Sequence, residues 1–284
     1  MQEKSCTIGK FESFHKGHQK LIQEVKKFKN PEILSILFPE SGDNPSLFTL
    51  EERKTIATRF KIKLSLVPFN KIKNLSAQEF FQFLKKNGYT TIVVGSDWRF
   101  GKGREGDVEK AKKLGEIYKI KVVEVKPLKH NGRKISTSWI KELLNRGDIE
   151  KANFLLGFPF FTTGNKVKGK GLGKKLGFPT INIKPAKKLL LPYGVYKVYA
   201  KANGKKLLGA ANFGVRPTVD GKEELLEVHI LNRNFKDLKY EKPEIEFLKF
   251  IRKEKKFNSI EELQKQIKLD VKTILLNENG GSFE

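Results

Sequence analysis

The stretch Gly9-Lys10-Phe11-Glu12-Ser13-Phe14-His15-Lys16-Gly17-His18 follows an apolar run, Ser5–Gly9. It leads into a segment with apolar residues at Leu21, Ile22, Val25 and Phe28. A strand that ends in glycine and a helix that starts near Lys16 leave backbone N–H groups free at the helix start, a geometry that suits a phosphate chain. His15 and His18 are three apart, so both face one side of the first turn. Imidazoles there can donate hydrogen bonds to phosphate oxygens and to charge developing at phosphorus. Gly17 would let a nucleotide approach the backbone closely. Of the four histidines in the chain, two fall in this turn. The competing reading is a pair of solvated histidines beside a basic helix.

Outward from this turn, strand and helix patterns alternate. Apolar strand candidates are Ser5–Gly9, Glu32–Phe38, Leu64–Phe69, Thr90–Gly95 and Lys121–Val125. Thr49 with Glu52, and Ser76 with Glu79, read as capping boxes. The second of these helices ends at Gly88, and Asp107–Tyr118 is a further helix candidate. Strands alternating with helices predict a doubly wound parallel sheet, which binds ligands at the carboxyl ends of its strands, where Gly9 and Gly95 should lie.

Short helices at Ser138–Asn145 and Asp148–Leu156 precede Gly157, where the pattern changes. Short β runs follow at Gly194–Ala200, Lys206–Phe213, Glu224–Leu231 and Glu244–Phe250, broken by Gly, Pro and Asn. They predict a small antiparallel barrel, closed by a helix over Ser259–Leu276. The domain boundary falls near Gly157, giving domains 1–157 and 158–284.

The second half has its own phosphate-suited segment, Gly169 to Asn182, GKGLGKKLGFPTIN. Its glycines and proline predict that it is not helical, and its backbone N–H groups can cradle phosphates. Thr180 and Asn182 share one face of an extended segment and can offer oxygens to Mg²⁺ and hydrogen bonds to a nucleotide.

Two decoys accompany these segments. Gly164–Lys170 matches GxxxxGK, but Gly171 stands where Ser or Thr is required. Gly101–Gly106 matches GxGxxG with Glu124 at the spacing of a ribose-binding acid. Yet Ser96–Phe100 separate its first glycine from the strand end.

The net charge of +25 predicts anionic partners and keeps a basic nucleic-acid-binding protein open as an alternative. The basic residues are spread along the chain, and many alternate with glutamates on helical faces. Cys6 is the single cysteine, which excludes an internal disulfide and a multi-cysteine zinc site. No apolar run reaches membrane-spanning length, and MQEKSCTIGKF lacks the apolar core of a signal peptide, so a cytoplasmic location is expected.

The order Gly9, Phe11, His15, Gly17, His18 resembles the nucleotidyltransferase superfamily with an HxGH signature. Its members use the two histidines to bind ATP and to stabilise the transition state of nucleotidyl transfer. Ser136-Thr137-Ser138 with Lys141 fits the serine- and threonine-rich second motif of that superfamily. Hydroxyls at a helix start can hold phosphate oxygens, although an ordinary helix cap reads the same way. Gly95–Asp107 is similar to the flavin-holding loop of bacterial bifunctional riboflavin kinase/FAD synthetases. Asp97, Trp98, Arg99 and Phe100 are thereby candidate flavin-binding residues, with core packing the alternative for the two aromatics.

Pro179-Thr180-Ile181-Asn182 resembles the PTAN motif of riboflavin kinases, with Ile181 replacing alanine. Pro192–Tyr196, Asn212–Thr218, Leu226–Leu231 and Phe250–Arg252 match further family segments in order. Within the resemblance, Glu227 matches the carboxylate that accepts the proton of the ribityl 5′-hydroxyl. From its sequence setting alone it is a charged residue in a strand, and His229 on the same face could be structural.

The resemblance implies an α/β protein: an N-terminal doubly wound, Rossmann-like nucleotidyltransferase domain, then a β-barrel kinase domain with a C-terminal helix. It implies ATP with Mg²⁺, and riboflavin, FMN and FAD as substrates or products. Catalysis would fall to Glu227, His15 and His18. ATP would be held by Gly9, Phe11, His15, Gly17, His18, Ser136, Thr137, Ser138, Lys141, Gly169, Gly171, Lys174, Thr180 and Asn182, with Thr180 and Asn182 as metal ligands. No nucleic-acid or membrane partner is expected, and a monomer is compatible with the sequence. An adenylyltransferase with another phosphorylated substrate is the nearer alternative. The family pattern is varied at Glu12-Ser13, which stand for Asp-Gly, and at Lys141 and Lys174, which stand for arginines. Lysine keeps the charge and loses the bidentate fork.

Overall fold

A computed structural model describes residues 3–39, 45–169, 171–202, 205–218, 221–231 and 242–276. The chain divides into two compact units, Met1–Thr137 and Ser138–Glu284.

In the first unit, β1 (Lys4–Gly9), β2 (Pro31–Leu37), β3 (Lys63–Pro68), β4 (Tyr89–Gly95) and β5 (Lys121–Val125) form one parallel sheet in the order β3-β2-β1-β4-β5. Helices α1 (Lys16–Val25), α2 (Leu50–Arg59), α3 (Ala77–Lys86) and α4 (Val108–Tyr118) connect the strands. The doubly wound sheet expected from the alternating pattern is therefore present. Both capping boxes form: the Glu52 amide reaches Thr49 Oγ1 at 3.2 Å and the Thr49 amide reaches Glu52 Oε2 at 2.8 Å. Ser76 and Glu79 make the equivalent pair. Phe80, Phe81, Leu84, Ile92 and Val94 build the core on one side of the sheet, where Phe80, Phe81 and Leu84 recur at helical spacing on α3. A short hairpin of β6 (Lys129–His130) and β7 (Arg133–Lys134) follows, then α5 (Thr137–Asn145).

The second unit contains α6 (Ile149–Leu156), which stops at Gly157 with φ +79°. Six strands then close an antiparallel barrel in the order β10-β11-β12-β9-β8-β13. They are β8 (Phe161–Val167), β9 (Ile181–Pro185), β10 (Gly194–Ala202), β11 (Lys205–Thr218), β12 (Gly221–Ile230) and β13 (Glu244–Lys253). The closing helix α8 (Ile260–Leu276) is pinned to β13 by a bidentate pair, Arg252 Nε to Asp270 Oδ1 at 2.9 Å and Nη2 to Oδ2 at 2.7 Å. Asn153 of α6 donates to the Phe247 carbonyl and accepts from the Phe160 amide, which ties α6 to the barrel. By contacts, the helical residues before Gly157 thus lie with the second unit.

One expectation is corrected. The glycine-rich stretch holds a single helical turn, α7 (Leu172–Lys175). Gly171 enters at φ +74° and Gly177 leaves at φ +85°, while the Phe178 amide returns to the Gly173 carbonyl at 2.8 Å. Glycines that block a long helix permit a lone turn by taking left-handed conformations at its two ends. Pro179 lies beyond the turn and does not interrupt it. The GxGxxG decoy folds as a loop closed by Phe100 and Gly106, whose amides and carbonyls exchange hydrogen bonds. Lys170 of the GxxxxGK decoy and the tail after Asn277 lie outside the described residues.

Thr49→Ala removes one half of a capping box. It is expected to destabilise the first unit by about 1 kcal/mol, measurable by urea titration.

Candidate active sites

The β1–α1 turn builds the first site. Phe11 and Phe14 adopt φ +44° and +52° and are fully buried, a strained conformation for residues with aromatic side chains. His15 caps α1: its Nδ1 accepts from the His18 amide at 3.1 Å. That bond leaves the ring proton of neutral His15 on Nε2. The two imidazoles stack at 3.8 Å between centroids and 9° between planes, and Phe11 packs on His18 at 4.7 Å. A Cβ at Gly17 would come within 3.0 Å of His15 Cε1, so this glycine makes room for an imidazole, a requirement the sequence alone does not reveal.

Residues distant in sequence hold the turn. Arg53, nearly buried on α2, donates to the Lys10 carbonyl at 2.6 Å and to Ser35 Oγ. Ser35 Oγ donates to the same carbonyl at 2.8 Å, and Glu12 accepts from the Leu47 amide at 2.8 Å. Ser13 and Thr137 share a hydroxyl–hydroxyl hydrogen bond of 2.8 Å. The histidine turn and the hydroxyl motif, 124 residues apart, therefore meet. Ser136 is half-buried beside Thr137, whereas Ser138 and Lys141 lie on α5 past the division between the units.

Both histidines are held neutral. Burial, reinforced by the charge of Lys134, lowers His15 to about 4 against the opposing effect of a backbone hydrogen bond. Burial also pushes His18 well below the ordinary range, aided by His15, Lys134 and Arg53. His18 Nδ1 is enclosed and has no hydrogen-bond partner among the described residues. Lys134 is a site residue that sequence reasoning missed. It pairs with Asp97 at the end of β4, and its only sequence signal is a basic residue just before Ile135-Ser136-Thr137.

Of the four flavin candidates, Trp98 stacks on Phe100 at 4.5 Å, and both rings lie within 6.1 Å of Phe80. Phe100 is buried in the core, Trp98 is half-buried, and Arg99 pairs with Asp107 at 3.1 Å. A separate cavity of about 290 Å³ opens beside the carboxyl ends of β1 and β2, lined by Lys10, Glu12, Phe38, Phe48 and Arg53 among others.

In the second unit the ladders set the site. Asn182 on β9 pairs with Glu227 on β12, and Glu227 pairs with Asn212 on β11. Three polar side chains therefore lie side by side on one face of the barrel wall. A side chain at Gly169 would collide with the Asn182 amide. One at Gly173 would lie 2.5 Å from the Phe178 carbonyl and 3.3 Å from Thr180 Oγ1. The flap thus rests directly on the Thr180–Asn182 segment, with Gly171 at its left-handed corner and Lys174 exposed on the turn. Arg216 donates to the Lys168 carbonyl at 3.2 Å, and His229 Nδ1 lies 2.9 Å from the Pro179 carbonyl.

Asn182 is almost wholly buried, whereas the Glu227 carboxylate is exposed. Thr180 and Asn182 offer neutral oxygens, which suit Mg²⁺ when nucleotide phosphates complete the coordination. Among the described residues no cluster of three His, Cys, Asp or Glu could hold an ion without such help.

A parallel sheet with paired imidazoles at its central strand end, joined to a barrel whose glycine flap covers Thr and Asn, defines a two-part phosphoryl- and nucleotidyl-transferring enzyme. The family models agree: FAD synthetase matches residues 1–139 and Riboflavin kinase matches residues 156–276. The bifunctional riboflavin kinase/FMN adenylyltransferase of Buchnera aphidicola (Schizaphis graminum) is 35% identical over 95% of this chain and 92% of its own. That of Escherichia coli K12 is 34% identical over 93% of this chain and 89% of its own. A solved Streptococcus pneumoniae structure, described as a macrolide-efflux protein, superposes with a TM-score of 0.86 at 28% identity, over 99% of this chain and 95% of its own. The chain belongs to the bifunctional riboflavin kinase/FMN adenylyltransferase family.

The depressed histidines predict a pH dependence of stability. Between about pH 4 and 6.5 the unfolded chain binds protons that folded His15 excludes, and His18 acts in the same direction. Stability of the first unit should therefore be fully present above pH 6.5 and fall as pH drops through that window, by at most about 1.4 kcal/mol per pH unit for each histidine. Urea titrations of the protein and of a His15→Gln/His18→Gln variant across this range should differ in slope; equal slopes would refute the burial argument.

Proposed function

We infer that this protein makes flavin cofactors in two steps. The second unit phosphorylates riboflavin with ATP to give FMN. The first unit transfers AMP from a second ATP to FMN, giving FAD and pyrophosphate. The observation that carries this reading is that one chain matches both family models, with the paired histidines on the parallel sheet and the Thr180–Asn182 segment in the barrel supporting it.

For phosphorylation, the Glu227 carboxylate takes up the proton of the ribityl 5′-hydroxyl as that oxygen attacks the γ-phosphorus. Together with the nucleotide phosphates, Thr180 and Asn182 would hold Mg²⁺, which would supply charge neutralisation on the transferring group. The backbone N–H groups of Gly169 and Gly171 with Lys174 would hold the phosphate chain. For adenylylation, the FMN phosphate is itself the nucleophile, so the protein supplies position and charge. His15 and His18 donate to the phosphate oxygens of ATP as negative charge builds at the α-phosphorus. Ser136, Thr137, Ser138 and Lys141 provide the remaining phosphate contacts, while Asp97, Trp98, Arg99 and Phe100 frame the flavin. We place the functional boundary at 157/158, which falls just after the start of the kinase family match. The protein acts in the cytoplasm.

Incubation of the purified protein with riboflavin, ATP and Mg²⁺, followed by chromatography, should yield FMN and FAD; the absence of both would overturn this reading. Glu227→Gln is expected to lower FMN formation at least about a hundredfold while FAD formation from supplied FMN continues. His15→Ala and His18→Ala should each lower FAD formation about a hundredfold or more and spare FMN formation. Loss of both steps in either class of variant would refute the assignment of one site to each unit.

A further inference from the structure

His229 lies two residues beyond Glu227 on β12, so the two side chains project to the same face of the barrel wall. The β12–β9 ladder runs Leu226 to Ile183, Glu227 to Asn182 and Val228 to Ile181. The next residue of β12 is His229. It does not continue the ladder through its backbone; its imidazole reaches the chain just before β9, with Nδ1 2.9 Å from the Pro179 carbonyl. A carbonyl only accepts, so Nδ1 carries the proton of this bond. The imidazole also meets the Phe178 ring edge-on, at 5.5 Å between centroids and 82° between planes.

The flap anchors Phe178, whose amide donates to the Gly173 carbonyl at 2.8 Å. Beyond it, Pro179 has no N–H to donate, and Thr180 precedes the first residue of β9. Asn182 is held opposite Glu227 by the ladder, whereas Thr180 lies outside it, so the orientation of Thr180 relative to Asn182 and Glu227 depends on where the Pro179 peptide is fixed.

We propose that His229 is a positioning residue for phosphoryl transfer, holding the Pro179 carbonyl so that Thr180 presents its oxygen beside the ladder-held Asn182 and Glu227. The role acts through Pro179, and His229 does not itself touch the reacting atoms. It rests on assigning riboflavin phosphorylation to this barrel, and it gives a role to a residue whose place in the Leu226–Leu231 segment does not state one.

The test uses the full-length protein and two substitutions. His229→Ala removes the donor. His229→Asn keeps an N–H donor on the atom attached to Cγ, close to the place of Nδ1. In the alanine variant the KM for Mg·ATP in riboflavin phosphorylation should rise about tenfold, the order expected for losing one side-chain hydrogen bond and the alignment it enforces. The asparagine variant should return to within about threefold of the parent. Hydrogen–deuterium exchange supplies a readout independent of turnover: amides of the 178–185 segment should exchange faster in His229→Ala and regain protection in His229→Asn. FAD formation from supplied FMN serves as the control and should be unchanged in both.

An alanine variant with parental KM and parental exchange would overturn the proposal. So would an asparagine variant no better than alanine while its barrel remains folded by circular dichroism. Failure of the parent protein to make FMN would instead overturn the kinase assignment, and the two failures are thereby distinct.

Discussion

In the order β3-β2-β1-β4-β5, strand β1 is central and the chain winds away from it in opposite senses on its two sides. The loops at its carboxyl end therefore diverge, and a crevice opens there. Whatever follows Gly9 must line that crevice with backbone N–H groups and still bury its apolar side chains. The chain satisfies both demands by turning Phe11 and Phe14 into left-handed conformations, at a cost of about 1–3 kcal/mol each. Burial of both rings and the hydrogen bonds of Arg53 and Ser35 to the Lys10 carbonyl hold that strained path in place. The stacked imidazoles, the cap on α1 and the bond between Ser13 and Thr137 all follow from it.

The regular parts of this fold were legible because their signals are local. Capping boxes at Thr49 and Ser76, glycines at 88 and 157, and apolar runs of strand length all act within a few residues. Strands β8 and β9 were harder to read. The first is FTTGNKV, whose Gly164 leaves space for the Lys184 carbonyl across the ladder, a reason invisible without the partner strand. The lone turn α7 departs from the expectation because glycines exclude a long helix and not a single turn. The same residues, placed at both ends, permit a short one.

Site residues divide on the same principle. His15 and His18 stood out by spacing, and Thr180 and Asn182 by alternation in an extended segment. Glu227 has no distinctive local setting; its meaning comes from standing opposite Asn182 in the barrel ladder, 45 positions earlier in the chain. Lys134 and Arg53 act on the histidines from other loops and helices, so no motif contains them. The net charge of +25 was the least specific signal. It already subtracts the glutamates of exposed pairs such as Lys54–Glu51 and Lys27–Glu24, which contribute little to stability. The excess of positive charge attracts anions of any kind.

The contrast between the two sites follows from the nucleophile each must handle. A ribityl hydroxyl is neutral and has to lose a proton, so the proposed kinase site calls for a carboxylate, the part given to the exposed Glu227. The FMN phosphate is already anionic and needs no base. Its difficulty is approach to a second anion, which calls for hydrogen-bond donors and nearby cations. Buried imidazoles kept neutral fit that need: they donate without the large cost of burying an ionised ring, and Lys134 and Arg53 supply positive charge from positions fixed by their own partners. The burial that depresses His15 and His18 therefore keeps both imidazoles neutral at neutral pH, the state in which the proposed adenylyl transfer would use them as donors.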